Sequence, residues 1–256
     1  MKRCIGLGVA FVACTSASPP AGERDGPAAP GGDARYTACD RVEPMAPREA
    51  LAATPRPDAR AELLAVETSG AFVAPDPLYQ RVTKELAAIA KLDPRTADIE
   101  PFVEFAADLI VVLEEDAWQA DQREQYHAWN CLNEAYGVKE IDHNMLPRMR
   151  GVKLGFGDRR WNAALLAPLY AAVPGVRSAS TDGMMGDGPD VCLEVQGDTH
   201  HYIFDKAGGD CPAGCTEHLY LGFEAGPDGT VTPLGSSNGA AAPAWFERHQ
   251  DCRARL

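Results

Sequence analysis

The residues with the clearest chemical potential lie in one stretch, residues 199–224, which holds three of the six histidines. Its centre is Gly-Asp-Cys-Pro-Ala-Gly-Cys at residues 209–215, where Cys211 and Cys215 are close enough in sequence to form a disulfide. Apolar and β-branched residues flank this centre on both sides, which predicts two strands joined by a glycine-rich loop. The stretch therefore reads as a β-hairpin whose loop is locked by a disulfide.

Three chemistries are open to Cys211 and Cys215. The first is a structural disulfide that fixes the shape of a small loop. The second is a redox pair, but redox catalysts use Cys-x-x-Cys at a helix start, where the thiolate is stabilised. The third is zinc or copper binding with His218, although structural zinc also favours two-residue spacings. We expect the structural disulfide.

The histidines of the same stretch form a candidate metal site. Because side chains alternate between the faces of a strand, the neighbours His200 and His201 point to opposite sides. Either one meets His218 only in a suitable strand register, and a histidine pair with Asp205 or Asp210 suits zinc or copper. The candidate ligands are therefore His200, His201, His218 and Asp205. Exposed or hydrogen-bonded strand histidines are the alternative, and we predict no cofactor.

The N-terminus has the pattern of an export signal. A basic Met-Lys-Arg start precedes a short apolar run at residues 4–13, which is too short to span a membrane. The small residue directly before Cys14 resembles a bacterial lipoprotein cleavage site, which implies that Cys14 carries a lipid. An ordinary secretion signal cleaved nearby is the alternative. We predict a signal peptide at residues 1–13 and a flexible lipidated tether at residues 14–60.

These predictions place the protein in the bacterial cell envelope, either anchored to the outer membrane or in the periplasm. It is secreted if Cys14 is not lipidated, and the lipid is the only predicted membrane attachment. The chain has 24 basic and 37 acidic residues and a net charge of −13. An acidic surface of this kind repels nucleic acid and anionic lipid. We therefore predict no nucleic-acid function. Attraction of a basic partner is one interpretation of the acidity, and solubility is the simpler one.

Cysteine usage also points to an oxidising compartment. Of eight cysteines, one leaves with the signal and one carries the lipid, so six remain: Cys39, Cys131, Cys192, Cys211, Cys215 and Cys252. Six cysteines permit fifteen pairings. Besides the local pair, we predict a Cys39–Cys252 bond that ties the chain ends and a Cys131–Cys192 bond that ties a helix to the sheet.

The middle of the chain, about residues 106–182, has the element order β-α-β-β-α-β. This order is the split-βαβ, ferredoxin-like arrangement, an antiparallel sheet with helices on one face. Residues 190–235 add the disulfide-locked β-hairpin, so we predict one α+β domain at residues 61–256. Residues 63–73 are predicted to form a strand before a helix that begins near Asp76.

Two resemblances follow from these patterns. The strand Leu-Ile-Val-Val-Leu, a helix ending in Tyr-Gly, and Val-Pro-Gly-Val before Ser-Ala-Ser resemble propeptide (inhibitor) domains of subtilisin-type proteases, over residues 106–182. No protease domain follows, so this resemblance implies stand-alone binding or inhibition. The Gly-Asp-Cys-Pro-Ala-Gly-Cys hairpin is similar to one in uncharacterised bacterial secreted proteins and lipoproteins, which implies localisation and architecture but no chemistry.

Together these observations predict a non-enzymatic protein-binding module, with protease inhibition as one form and an unknown envelope protein as its partner. The candidate binding residues are Asp210, Pro212 and His218. The alternative function is a periplasmic zinc- or copper-binding protein that uses the hairpin histidines. An enzyme is the third possibility, but the Gly-x-Ser-x-Gly at residues 235–239 lacks the strand-before, helix-after context of a hydrolase nucleophile.

Overall fold

The structure, a computed structural model, describes residues 54–101, 108–182, 188–211, 214–238, 243–249 and 252. These residues contain five α-helices and eight strands, which form two antiparallel four-stranded sheets. The predicted α+β class is therefore confirmed. None of the described helices is long and apolar enough to cross a membrane. The predicted signal peptide, Cys14 and Cys39 lie outside the described residues.

Two helices open the described chain, α1 (Ala59–Ser69) and α2 (Asp76–Leu92). The predicted strand over residues 63–73 is wrong. The Asp58 side chain caps the start of α1 by accepting a hydrogen bond from the Ala61 amide, and Gly70 ends it in a left-handed conformation with φ of 60°. Caps at both ends outweigh the strand preference of the branched residues between them.

The first sheet comes from the middle of the chain. In chain order its elements are β1 (Asp108–Leu113), α3 (Glu115–Asp121), α4 (Asn130–Tyr136), β2 (Glu140–Leu146), β3 (Gly151–Gly155), α5 (Ala163–Ala171) and β4 (Val176–Thr181). The strand order is β2-β3-β1-β4, and all neighbours are antiparallel. The element order agrees with the predicted β-α-β-β-α-β pattern, and the ferredoxin-like assignment stays a prediction.

The helix predicted to end in Tyr-Gly, the first of the β-α-β-β-α-β order, is two helices in the structure. α3 ends at Asp121, and Glu124 soon after adopts φ of 58°, a left-handed conformation that a helix cannot continue through. The chain turns there and restarts as α4. Both helices, with α5, cover β1 and β3 in a core that includes Leu132, Tyr136 and Trp161.

The second sheet contains the predicted hairpin. Its strands are β5 (Asp190–Gln196), β6 (Thr199–Asp205), β7 (Leu219–Ala225) and β8 (Val231–Asn238), paired in chain order. α1 and α2 pack on one face of this sheet through a separate apolar cluster. α1 and α2 thus pack on the second sheet, while the first sheet has its own core.

The C-terminal segment, residues 243–249 with Cys252, covers the other face of the second sheet. Its Phe246 and Cys252 pack on Ile203 and Tyr220. Trp245 lies so close to β7 that a Cβ added at Gly222 would be 2.5 Å from the indole ring. Short 3₁₀ helices occur at Pro94–Thr96, Pro147–Met149 and Phe246–Arg248. The second sheet is thus covered by α1 and α2 on one face and by the C-terminal segment on the other.

Candidate functional site

Several independent contacts hold the described residues of the loop between β6 and β7. Cys211 and Cys215 form a disulfide, as predicted. Below it, Gly208 and Glu217 form an isolated antiparallel bridge, with the Gly208 amide donating to the Glu217 carbonyl at 2.9 Å. Gly209 adopts φ of 88° beside Thr216, a conformation and a close approach that favour glycine. We call residues 208–211 and 214–217 the locked loop.

His218, predicted as a binding residue and a metal ligand, braces the locked loop from inside. Its Nδ1 lies 2.7 Å from Oδ2 of the buried Asp205, and its Nε2 donates to the Cys215 carbonyl at 3.1 Å. Its ring also stacks on Tyr220, with planes 8° apart. Both ring nitrogens already have partners, so His218 supports the conformation of the loop.

Of the other two predicted binding residues, the structure describes only Asp210. Asp210 is exposed on the locked loop. Pro212 lies outside the described residues. Thr216 and Glu217 are also exposed, so the loop presents an acidic, polar surface to solvent.

His200 lies on the helix-covered face of the second sheet, inside a buried polar network. Its Nδ1 is 2.7 Å from Oε2 of Glu85 on α2, and the same oxygen accepts a 2.6 Å hydrogen bond from the Tyr202 hydroxyl. Arg81 donates to the other Glu85 oxygen at 2.7 Å. Burial raises the pKa of Glu85, but these hydrogen bonds together outweigh it, so the pKa lies below its ordinary value. The network joins α2 to the sheet.

His201 points to the opposite face, as strand alternation predicts, and meets a residue that sequence reasoning did not single out. Its ring packs on that of His249 in the C-terminal segment, with centroids 4.4 Å apart. Both rings line a polar pocket of about 330 Å³ with Glu224 and Arg248. Burial, and then the charge of His249, lowers the pKa of His201.

Glu194 on β5 completes this constellation. Its Oε1 lies 3.5 Å from Nδ1 of His249 and accepts a hydrogen bond from Gln196. Its Oε2, together with Nδ1 of His201 and Nδ1 of His249, is buried without a hydrogen-bond partner. The sequence feature that points to this site is His249, three residues before Cys252. Its position becomes informative only when Cys252 is known to bond to Cys192.

The structure corrects that pairing. Cys192 bonds to Cys252, with Cα atoms 5.5 Å apart, so the predicted Cys131–Cys192 and Cys39–Cys252 bonds are both wrong. Cys192 points from β5 toward the C-terminal segment, whereas Cys131 lies on α4 over the other sheet. Cys131 is itself disulfide-bonded. The bond fastens the C-terminal segment over the His201 face.

The four predicted metal ligands do not come together as one cluster. His200 bonds to Glu85 on one face, His201 faces His249 on the other, and only His218 and Asp205 touch each other. Among the described residues, no group of three His, Cys, Asp or Glu side chains forms a ready-made metal site. The three hairpin histidines thus lie in three separate places in the structure.

Comparison with known proteins identifies no relative. No protein-family model, curated protein or solved structure matches this chain. The resemblances to subtilisin propeptides and to uncharacterised bacterial lipoproteins stay predictions.

Proposed function

We propose that this protein is a non-enzymatic, lipid-anchored binding module of the bacterial cell envelope that recognises another protein through the locked loop. The observation that carries the proposal is the loop itself, an exposed segment fixed by a disulfide, a backbone bridge and a half-buried histidine. The two described disulfides indicate an oxidising, extracytoplasmic compartment. Lipid attachment at Cys14 is the further step of the proposal.

Rigidity supports a binding role because association costs free energy for every segment that must be ordered. A loop held in one conformation before it meets its partner avoids most of that cost. The locked loop has few apolar contacts that would explain its constraints as core packing, since Gly209, Asp210, Thr216 and Glu217 are all exposed. Protease inhibitors use pre-organised surfaces of this kind, and protease inhibition is one form of the proposed function.

Charge indicates the chemistry of the partner. Asp210 and Glu217 are exposed carboxylates on the locked loop, and the whole chain carries a net charge of −13. A protein surface rich in Lys and Arg complements this charge and associates faster with it. We therefore propose a partner with a basic patch.

A pair of charge reversals tests the proposal. Asp210→Lys changes the locked loop, and Asp198→Lys makes the same change in the exposed turn between β5 and β6, at the other end of the sheet. Tagged variants would be used to capture proteins from envelope extracts, and the affinity for each captured protein would be measured with purified components. We expect Asp210→Lys to weaken binding about tenfold, while Asp198→Lys matches the wild type. Equal binding by both variants would reject the loop as the recognition element.

Unlocking the loop gives a second arm of the test. In Cys211→Ser/Cys215→Ser the loop keeps its charge but loses its covalent constraint. We expect weaker binding through a faster dissociation rate, with an unchanged far-UV circular dichroism spectrum. A panel of subtilisin-type proteases would be assayed with the same variants, because inhibition by the wild type alone identifies the inhibitor form of the proposal.

A further inference from the structure

The spacing of histidines and carboxylates differs between two sets of pairs. Among the described residues, five histidines have Nδ1 within 4 Å of a carboxylate oxygen. In three of them the distance is 2.7 Å, an ordinary hydrogen bond: His143–Asp121, His200–Glu85 and His218–Asp205. In the other two it is 3.8 Å for His201–Glu224 and 3.5 Å for His249–Glu194. The two long pairs are the two whose histidine rings touch each other.

These long distances leave buried polar atoms unsatisfied. The side chains of His201 and His249 are only 9% and 5% exposed, and that of Glu194 is 11% exposed. Nδ1 of each ring and Oε2 of Glu194 have no hydrogen-bond partner. Leaving each such buried atom without a partner is destabilising. Three of them from three segments, side by side, point to a ligand that satisfies all three.

The donor set and spacing suit a metal ion. Two ligand atoms about 2.1 Å from a tetrahedral zinc ion are about 3.4 Å apart, which is longer than a hydrogen bond. The His249–Glu194 distance of 3.5 Å is close to this separation. Two imidazoles and a carboxylate are a common donor set for divalent transition metals.

We propose that Nδ1 of His201, Nδ1 of His249 and the Glu194 carboxylate bind one divalent transition-metal ion such as Zn²⁺. The described part of the chain contains no complete three-ligand site. Binding therefore requires these side chains to move toward the ion. The adjoining pocket leaves a fourth coordination position for water or a partner group. This site is separate from the locked loop and uses only one of the hairpin histidines.

The charges around the site favour a cation. Glu194 and Glu224 both act electrostatically on His201, and Arg248 is the positive side chain that opposes them. Two carboxylates against one guanidinium leave a net negative environment. Gln196, which donates to Glu194 Oε1, orients the carboxylate.

The binding test uses purified full-length protein stripped of metal with a chelator. Titration calorimetry with Zn²⁺ should give one ion per chain, and Co²⁺ should give the visible absorption of a tetrahedral site. His201→Ala and His249→Ala should each weaken binding about tenfold or more. His127→Ala, which removes an exposed histidine on the other half of the molecule, should leave it unchanged.

Glu194→Gln keeps the shape of the side chain and guards against a folding artefact. This variant should also lose affinity while its thermal unfolding without metal matches the wild type. Zn²⁺ should raise the unfolding temperature of the wild type and not that of the three site variants. Failure of the wild type to take up a stoichiometric ion, or equal uptake by His201→Ala and His249→Ala, would overturn the proposal. Either failure leaves partner binding by the locked loop unaffected.

Discussion

His201 on β6 and His249 in the C-terminal segment pack their rings against each other, with centroids 4.4 Å apart and planes tilted by 37°. This contact shows that the end of the described chain is part of the second sheet's packing. The Cys192–Cys252 bond fastens the same segment to β5. The face that holds the metal-site candidate therefore depends on a segment with little secondary structure of its own.

Loss of the Cys192–Cys252 bond should destabilise the protein much more than loss of the Cys211–Cys215 bond. The first closes a loop with a sequence separation of 60, and the second one with a separation of 4. In the chain-entropy model, these correspond to about 4 and about 2 kcal/mol. Urea unfolding of Cys192→Ala/Cys252→Ala and Cys211→Ser/Cys215→Ser compares the two directly. Equal losses of unfolding free energy would show that the C-terminal segment is not held in this way.

Gly222→Ala should displace Trp245 from β7. The added Cβ would lie 2.5–2.9 Å from three carbons of the indole ring, closer than packed side chains approach. Overpacking of this kind costs about 1–3 kcal/mol. Tryptophan fluorescence should shift to longer wavelength as the ring becomes exposed. Gly208→Ala is the matched control, because a Cβ there meets nothing within 4 Å, and an identical effect of both changes would contradict the packing described.

Glu85→Gln should destabilise the fold at neutral pH by roughly 1.5–3 kcal/mol, the contribution of hydrogen bonds to a charged group. The pKa of Glu85 is lowered in the fold from an ordinary value of 4.5. Its ionised form therefore contributes stability above that pH, and the contribution is lost as pH falls through the folded-state pKa.

The gap in unfolding free energy between wild type and Glu85→Gln should accordingly shrink below pH 4.5. Denaturant unfolding at a series of pH values measures it. Glu100→Gln removes an exposed carboxylate and should show no such gap. A pH-independent gap would mean that the charge of Glu85 has no part in its effect.

Glu62→Gln should not destabilise the fold at neutral pH, in contrast to Glu85→Gln. Glu62 is buried in α1, and its ion pair with Nε of Arg56 is long, at 3.9 Å. Burial raises the pKa of Glu62 despite the opposing effect of Arg56. Its contribution to stability is thus present below the ordinary pKa and lost as pH rises through the folded-state pKa. We expect Glu62→Gln to be at least as stable as the wild type at neutral pH, and a loss as large as that of Glu85→Gln would refute this.

Local signals in the sequence predicted those parts of the molecule that local interactions determine. The Cys211–Cys215 bond follows from spacing, the start of α2 from Asp76-Pro77, and the opposite orientations of His200 and His201 from strand alternation. The element order of the first sheet follows from hydrophobic periodicity.

What the sequence did not reveal depends on packing between distant segments. α1 is helical because caps at Asp58 and Gly70 select one of two conformations that its composition allows. The partner of Cys192 is set by the C-terminal segment crossing the second sheet. Glu194 and His249 meet only after that crossing is made, so the position of His249 near Cys252 becomes informative only when the disulfide pairing is known.

The proposed function is tested most directly by photo-crosslinking in living cells. A photo-reactive amino acid at position 210 places the probe on the locked loop, and the same probe at position 198 places it on the exposed turn at the other end of the sheet. We predict a discrete adduct with an envelope protein from position 210 and none from position 198. The Cys211→Ser/Cys215→Ser background should weaken that adduct. No adduct from position 210, or the same adducts from both positions, would contradict recognition through the locked loop.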